Sequence, residues 1–483
     1  MASESTPLLP SGSPQNSRPK TGWFLFLLCT VVITIDFGGF LSVAPQTQIL
    51  ENIICRDMHP NVAASSSICK DTDVQSELAL ITGWKNTFDQ LPAIVLALPY
   101  GFLADRIGRK RVVMLSLLGL LAQETAVRII CWNSPIIPPR AIWLTSLFQI
   151  CGGGSQIAIS MVYTMLIDVY TVEERTNKIF IATAAALTSE ILASPVSSYL
   201  MRFSNWFPYM LSLLIEIIGV LAALGMPETM RKGLHEQEDF ASPSSSSSSS
   251  EAVEGQNETQ RSQFFETYIR PVWTQLLRIR DLIWKDRNIL AICCAFFVGN
   301  VGSQALLLMI QYVSKRFGWS MAEAGILISL KGIITLVLLL VILPLTSTYL
   351  SRRMSPPSRD LLITRFSAVL LVLGCMTMAL APTAGFFIVG LSILALGSGF
   401  IATLRGVASA LVSEEHVGLL NTSIALVQGA GGVVAGPALA GAFNLGMKKG
   451  GVWIGLPYFV AAGLFAGVGI VTGGVRVVRR GGV

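Results

Sequence analysis

Charge is scarce in this sequence. Asp, Glu, Lys and Arg make up 13 % of its 483 residues, against roughly a quarter in an ordinary soluble domain. Histidine is nearly absent, and the three present (His59, His235 and His416) lie far apart. The eight cysteines form no pair of CxxC steps at zinc spacing, so no metal centre is expected. No GxxxxGK[ST] step occurs, which excludes ATP drive through that loop. No His/Asp cluster or reactive dyad marks an enzyme site, and no cofactor is expected. Residues 1–22 are rich in Ser and Pro and lack the apolar core of a cleavable leader.

What is abundant is apolar surface. Hydrophobic residues reach 52 % and the mean hydropathy is +0.61. One aqueous core of this size cannot hide that much. A soluble enzyme, a disordered regulator and a disulfide-stapled secreted domain are all excluded. A polytopic membrane protein remains, and its partner is the lipid bilayer. The net charge of +6 fits basic inner loops, not nucleic-acid binding.

Twelve apolar runs centre on 23–43, 79–103, 112–131, 141–167, 179–200, 206–225, 288–311, 322–347, 361–381, 384–410, 419–443 and 453–474. Each is long enough to span a bilayer as a helix. The first reads as an uncleaved anchor. Residues 227–287 differ in composition. The unbroken serines of 244–250 sit among acidic residues, too polar to fold. The domain plan is a cytosolic tail (1–22), a six-helix half (23–226), a cytosolic linker (227–287), a second six-helix half (288–474) and a cytosolic tail (475–483). The end of the linker, 264–287, is amphipathic and basic and is expected to lie along the membrane surface.

With the N-terminus placed inside, twenty-three Lys and Arg fall in or beside inner segments and nine fall outside. That bias puts both termini in the cytosol. The tail sequence Glu4 to Leu8-Leu9 matches an acidic dileucine sorting signal, or is a chance match. The plasma membrane is expected ahead of the vacuolar membrane. An outer loop over about 46–77 carries Cys55 and Cys69, which would face an oxidising space. They are either free thiols or a disulfide. Closing that loop of about 15 residues would add roughly 3 kcal/mol in the chain-entropy account.

The most specific pattern is Gly101-Phe-Leu-Ala-Asp105-Arg106-Ile-Gly108-Arg109-Lys110-Arg111, between the second and third runs. Gly101 is expected to let two helices approach closely, and Gly108 to support a turn that a side chain would resist. Asp105 is expected to cap a helix start. This segment, with the six-plus-six layout and the central linker, resembles the major facilitator superfamily over 23–474. The resemblance implies an all-α fold of two six-helix bundles around a substrate cavity, with no enzymatic activity. It further implies that the Gly101–Arg111 loop is a cytosolic latch. Its Asp and Arg would contact the other bundle and the end of the fourth helix, here Asp168 with Arg175 nearby. A functional monomer is expected.

Gly432-Val-Val-Ala-Gly436-Pro437 in the eleventh run resembles the family's antiporter packing motif and gives a flat helix face. Run five keeps only Glu190 and Ser194-Pro195 of it, and run four lacks the arginine that often precedes Gln-Gly in proton-coupled members. Charges within apolar runs are costly and usually face a cavity or a partner. Asp36, Asp89 and Glu190 are the candidate proton sites, in that order, or else members of structural ion pairs. Lys85 stands four residues from Asp89 and shares its helix face. Lys331 and Arg405 would bind an anionic solute or pair across the cavity with first-half acids. Gln149 and Gln156 complete the candidate cavity set. Thr82–Pro92, Glu51–Arg56 and the TPLLP tail resemble fungal efflux members of the superfamily, and are also similar to the proton-coupled folate branch. The expected activity is proton-coupled efflux of a small organic metabolite or toxicant. Proton-coupled uptake and a transporter-like nutrient sensor are the alternatives.

Overall fold

The computed structural model describes residues 21–60, 67–229, 287–412 and 417–474, with residues 277, 280, 281 and 284. Glu4, Leu8, Leu9, most of the linker with its amphipathic end, and the C-terminal tail lie outside them. Every regular element among the described residues is helical. Eleven spans are long and apolar enough to cross a bilayer. A helix pair, Thr72–Ala97 and Pro99–Ile107, is bent by 57° and makes a twelfth when taken as one.

We number the spans α1 (Thr21–Met58), α2 (Thr72–Ile107), α3 (Arg109–Trp132), α4 (Pro139–Val169), α5 (Val172–Leu200) and α6 (Trp206–Leu224). The second half has α7 (Arg287–Phe317), α8 (Met321–Ser351), α9 (Pro356–Leu380), α10 (Ala384–Leu411), α11 (Val417–Lys449) and α12 (Leu456–Gly474).

The first helix runs well past the apolar stretch that predicts it. The loop expected over 46–77 is therefore corrected to the short connection after Met58 and before Thr72. Ile49, Ile53, Leu50 and Ile54 recur at helical spacing and are all buried, which carries the helix three turns beyond Pro45. Several spans are broken. The first part of α4 is a 3₁₀ stretch, Pro139–Ile150, joined to Gly154–Val169 through Gly152 and Gly153, which both have positive φ. A 3₁₀ turn at Gln304–Leu308 interrupts α7, and a π turn at Leu338–Ile342 interrupts α8.

Within the first half α1 packs on α5 and α6, and within the second α7 packs on α11 and α12. The halves meet through α2 against α11 and α5 against α8. One face of the molecule carries the Cys55–Cys69 disulfide, and the opposite face carries the Gly108 turn. The larger apolar core crosses the halves near the disulfide face, joining Ile49, Ile53 and Leu78 to Met309, Met321 and Ala324. The smaller core lies within the first half and holds Phe24, Val112, Met165 and Val220. Bulky apolar side chains such as Leu214, Ile218 and Leu221 of α6 are exposed, which suits lipid contact.

Candidate functional site

Between the halves lies a cavity of about 270 Å³. Its first-half wall comes from Lys85, Asn86, Asp89 and Gln90 on α2, Gln123 and Glu124 on α3, and Gln149 and Ser155 on α4. Gln304 and Leu307 of α7 and Gly432 and Gly436 of α11 close it from the second half.

A polar chain organises the wall. Lys85 Nζ lies 2.8 Å from Asp89 Oδ2, and Gln123 Nε2 donates to Asp89 Oδ1 at 2.7 Å. Gln149 in turn donates to the Gln123 side-chain oxygen. Three helices are tied through one carboxylate. Deeper in the first half, Arg128 Nη1 pairs with Glu124 Oε2 at 2.7 Å. Its Nε donates to the Tyr209 carbonyl (3.0 Å) and its Nη2 to Ser212 Oγ (2.6 Å). Glu216 is buried one turn further along α6, where a side chain on Gly38 of α1 would strike it.

Across the halves, Lys331 Nζ of α8 lies 2.6 Å from Glu190 Oε1 of α5, and Ser329 Oγ donates to the Ile191 carbonyl at 2.7 Å. Thr87 Oγ1 donates to the Val433 carbonyl at 2.9 Å. Asp36 lies on α1, half-buried and within electrostatic reach of Glu190. Among the described residues its carboxylate makes no ion pair or hydrogen bond.

Of the residues singled out in the sequence, Lys85, Asp89 and Gln149 share the cavity with Gly432 and Gly436. Gln156 is exposed and outside the lining. Lys331 is engaged by Glu190, and Arg405 by Gln428 Oε1 at 3.2 Å. Neither lines the cavity. Gln123, Asn86, Gln90 and Gln304 escape sequence reasoning. An amide in an apolar run signals a partner, but not which way it faces.

The basic turn differs from expectation in three respects. A side chain on Gly101 would meet nothing within 4 Å among the described residues, so Gly101 is not a close-approach point. Asp105 is exposed and sits 3.9 Å from Arg109, and no side chain of that turn caps α3. The cap comes instead from Glu228, just after α6. Its Oε1 accepts the Arg109 backbone N–H at 2.9 Å. Gly108 has φ +104°, and Glu228 occupies the space a Cβ would need. Arg109 pairs with Asp168 and donates to the Thr164 carbonyl at 3.2 Å. Lys110 Nζ donates to the Leu224 carbonyl at 2.7 Å, and Arg175 Nε to the Tyr170 carbonyl at 3.0 Å. Third, these bonds tie α3 to α4 and to the end of α6, and α5 to the end of α4, all within the first half, and none of them reaches the other bundle. Arg106 is exposed beside them. On α11, Gly436 approaches the Gly83 carbonyl of α2 so closely that a Cβ on either residue would collide, and Pro437 lies inside the helix.

A polar cavity shared by two six-span helical halves, with the halves joined by side-chain bonds, defines a multi-pass membrane transporter. The chain belongs to the Major Facilitator Superfamily, whose family model matches residues 26–436. It is a transporter, not an enzyme. The MFS efflux pump atnC of Emericella nidulans is 32 % identical over 96 % of this chain and 91 % of its own length. The efflux pump ustT of Aspergillus flavus is 30 % identical over 87 % of this chain and 82 % of its own. Among solved structures, a D-xylose–proton symporter superposes with a TM-score of 0.62 at 11 % identity, over 93 % of this chain and 97 % of that one. A peptide transporter bound to sulfate gives a TM-score of 0.59 at 12 % identity, over 94 % and 95 %. At those identities the likeness is one of fold.

Proposed function

We propose that this protein exports a small organic solute by alternating access, driven by protons. The observation that carries the reading is the position of the cavity. It opens between α2, α3 and α4 on one side and α7 and α11 on the other, so any rocking of the halves changes its exposure. Its wall offers charges of both signs and five side-chain amides, which suits a solute rich in hydrogen-bonding groups. Efflux is favoured by the two fungal relatives named as efflux pumps. The acids Asp36, Asp89 and Glu190 are the candidate proton carriers, and Lys85 and Gln149 candidate solute contacts. The Asp168–Arg109 turn stiffens the first half on the cytosolic side, with both termini on that side. The protein acts as a monomer in the plasma membrane.

The test is uptake of radiolabelled candidate solutes into proteoliposomes with an imposed pH gradient of either sign. Export by proton antiport requires accumulation when the lumen is acidic. Accumulation only with an alkaline lumen would identify symport and overturn export.

A further inference from the structure

The face opposite the Gly108 turn carries a group of charges outside the cavity: Glu51, Lys70 and Lys315. Glu51 of α1 is 1 % exposed. Four donor contacts reach its carboxylate. Lys70 Nζ lies 2.8 Å from Oε1 and 3.0 Å from Oε2, Gln48 Nε2 donates to Oε2 at 2.7 Å, and Gln75 donates to Oε1. All of these belong to the first half.

The same Lys70 ammonium then crosses to the second half and donates to Ser314 Oγ of α7 at 2.6 Å. A second bridge runs the other way. Lys315 Nζ donates to the Lys70 carbonyl and lies 3.4 Å from Thr72 Oγ1. The two ammonium groups thereby act on each other, with the Glu51 carboxylate as the buried counter-charge of Lys70 and Asp71 acting on Lys315. Lys70 closes the 3₁₀ turn Ser67–Lys70, and its neighbour Cys69 is bonded to Cys55 of α1. Gln75 also donates to the Cys69 carbonyl at 3.1 Å. Sulfur, amide and carboxylate all fix where Lys70 can reach.

We infer that Glu51, Lys70 and Lys315 form a bolt that holds the two halves together on the disulfide face, and that the Cys55–Cys69 bond positions it. Lys70 is a positioning residue, since it acts on the equilibrium between closed and open forms of this face. Within the bolt, only the contacts to Ser314 and Lys315 need to break when the face opens; Ser76–Asn444 and Ser198–Ala322 also cross the halves and part with them. The Glu51–Lys70 pair stays whole, so no charge is left buried and unpaired during the cycle. Removing Glu51 alone would leave the Lys70 ammonium without its buried counter-charge and repelled by Lys315, on which Asp71 still acts. The inference rests on the alternating-access reading, and the test separates the two.

The experiment measures spin-label distances in purified protein, with the six free cysteines replaced and Cys55–Cys69 kept. One pair, Arg56→Cys with Lys449→Cys, spans the disulfide face. The other, Thr171→Cys with Met354→Cys, spans the opposite face. Lys70→Met, Lys315→Met and Glu51→Gln should each move population to longer distances in the first pair and shorter ones in the second. Lys70→Arg should keep the parent distribution. If Lys70→Met does not fold, Lys315→Met carries the test alone. Cys55→Ser with Cys69→Ser should shift the distances in the same direction. A disulfide-face distribution unchanged in Lys315→Met and Glu51→Gln overturns the bolt. Lengthening on that face alone, with the other pair fixed, supports the bolt and overturns the rocking of rigid halves.

Discussion

Gly108 shows most sharply what one position can demand. Its φ of +104° with ψ of 149° belongs to a region that side chains avoid, and the Glu228 carboxylate fills the Cβ space. Gly108→Ala should therefore lower stability by about 1–3 kcal/mol, read as a fall in the thermal unfolding midpoint in detergent. Glu228→Ala, which removes the cap on the Arg109 N–H, should cost about 1 kcal/mol by the same measurement. The glycine was legible in the sequence because its neighbours form a recognisable turn. Glu228 was not, since it lies more than a hundred residues away and reaches the turn only through the packing of α6. Asp105 misled for the complementary reason: its spacing suits a cap, but the helix presents it to solvent. The Glu190–Lys331 pair behaves differently. Lys331→Met leaves a carboxylate buried without its cation and should destabilise by about 3–5 kcal/mol. The double variant with Glu190→Gln should recover most of that loss. Purely additive losses in the double-mutant cycle would remove any energetic role for the pair.

Among the helices, α2 and α11 decide whether the halves can fit together. Gly83 and Gly436 bring their backbones into contact, with Thr87 bonding to Val433 one turn away. Gly436→Leu should abolish solute accumulation in proteoliposomes while insertion in the membrane persists, because the bulk falls between two elements that must meet. Transport at the parent rate would show that α2 and α11 need not approach so closely. The number and order of helices could be read from hydropathy, and so could the glycine face of α11. Helix rotation could not. Gln149 and Gln156 lie seven residues apart in one apolar run, yet the break at Gly152–Gly154 turns one into the cavity and leaves the other exposed. Gln123 joins Gln149 to Asp89 through hydrogen bonds spanning three helices, a relation that no local period encodes.

For the molecule as a whole, the proposed proton coupling turns on which acid lacks a permanent cation. Lys85 holds Asp89, Arg128 holds Glu124, and Lys331 holds Glu190 across the halves. Two buried or half-buried acids make no ion pair or hydrogen bond among the described residues: Glu216, buried within the first half, and Asp36, half-buried beside the Glu190–Lys331 pair that crosses the halves. An unpaired carboxylate near the interface of the halves is the group best able to gain and lose a proton as they move. One proton moving down a gradient of about 1 pH unit supplies about 1.4 kcal/mol, enough for a tenfold accumulation of a neutral solute. Asp36→Asn should reduce that tenfold accumulation to about onefold, while solute exchange without a gradient continues. Accumulation that still follows the pH gradient in this variant would move the role to Asp89 or Glu190. Adding Lys331→Met would then separate the two, because that change releases Glu190 from its partner and leaves Lys85 on Asp89 untouched.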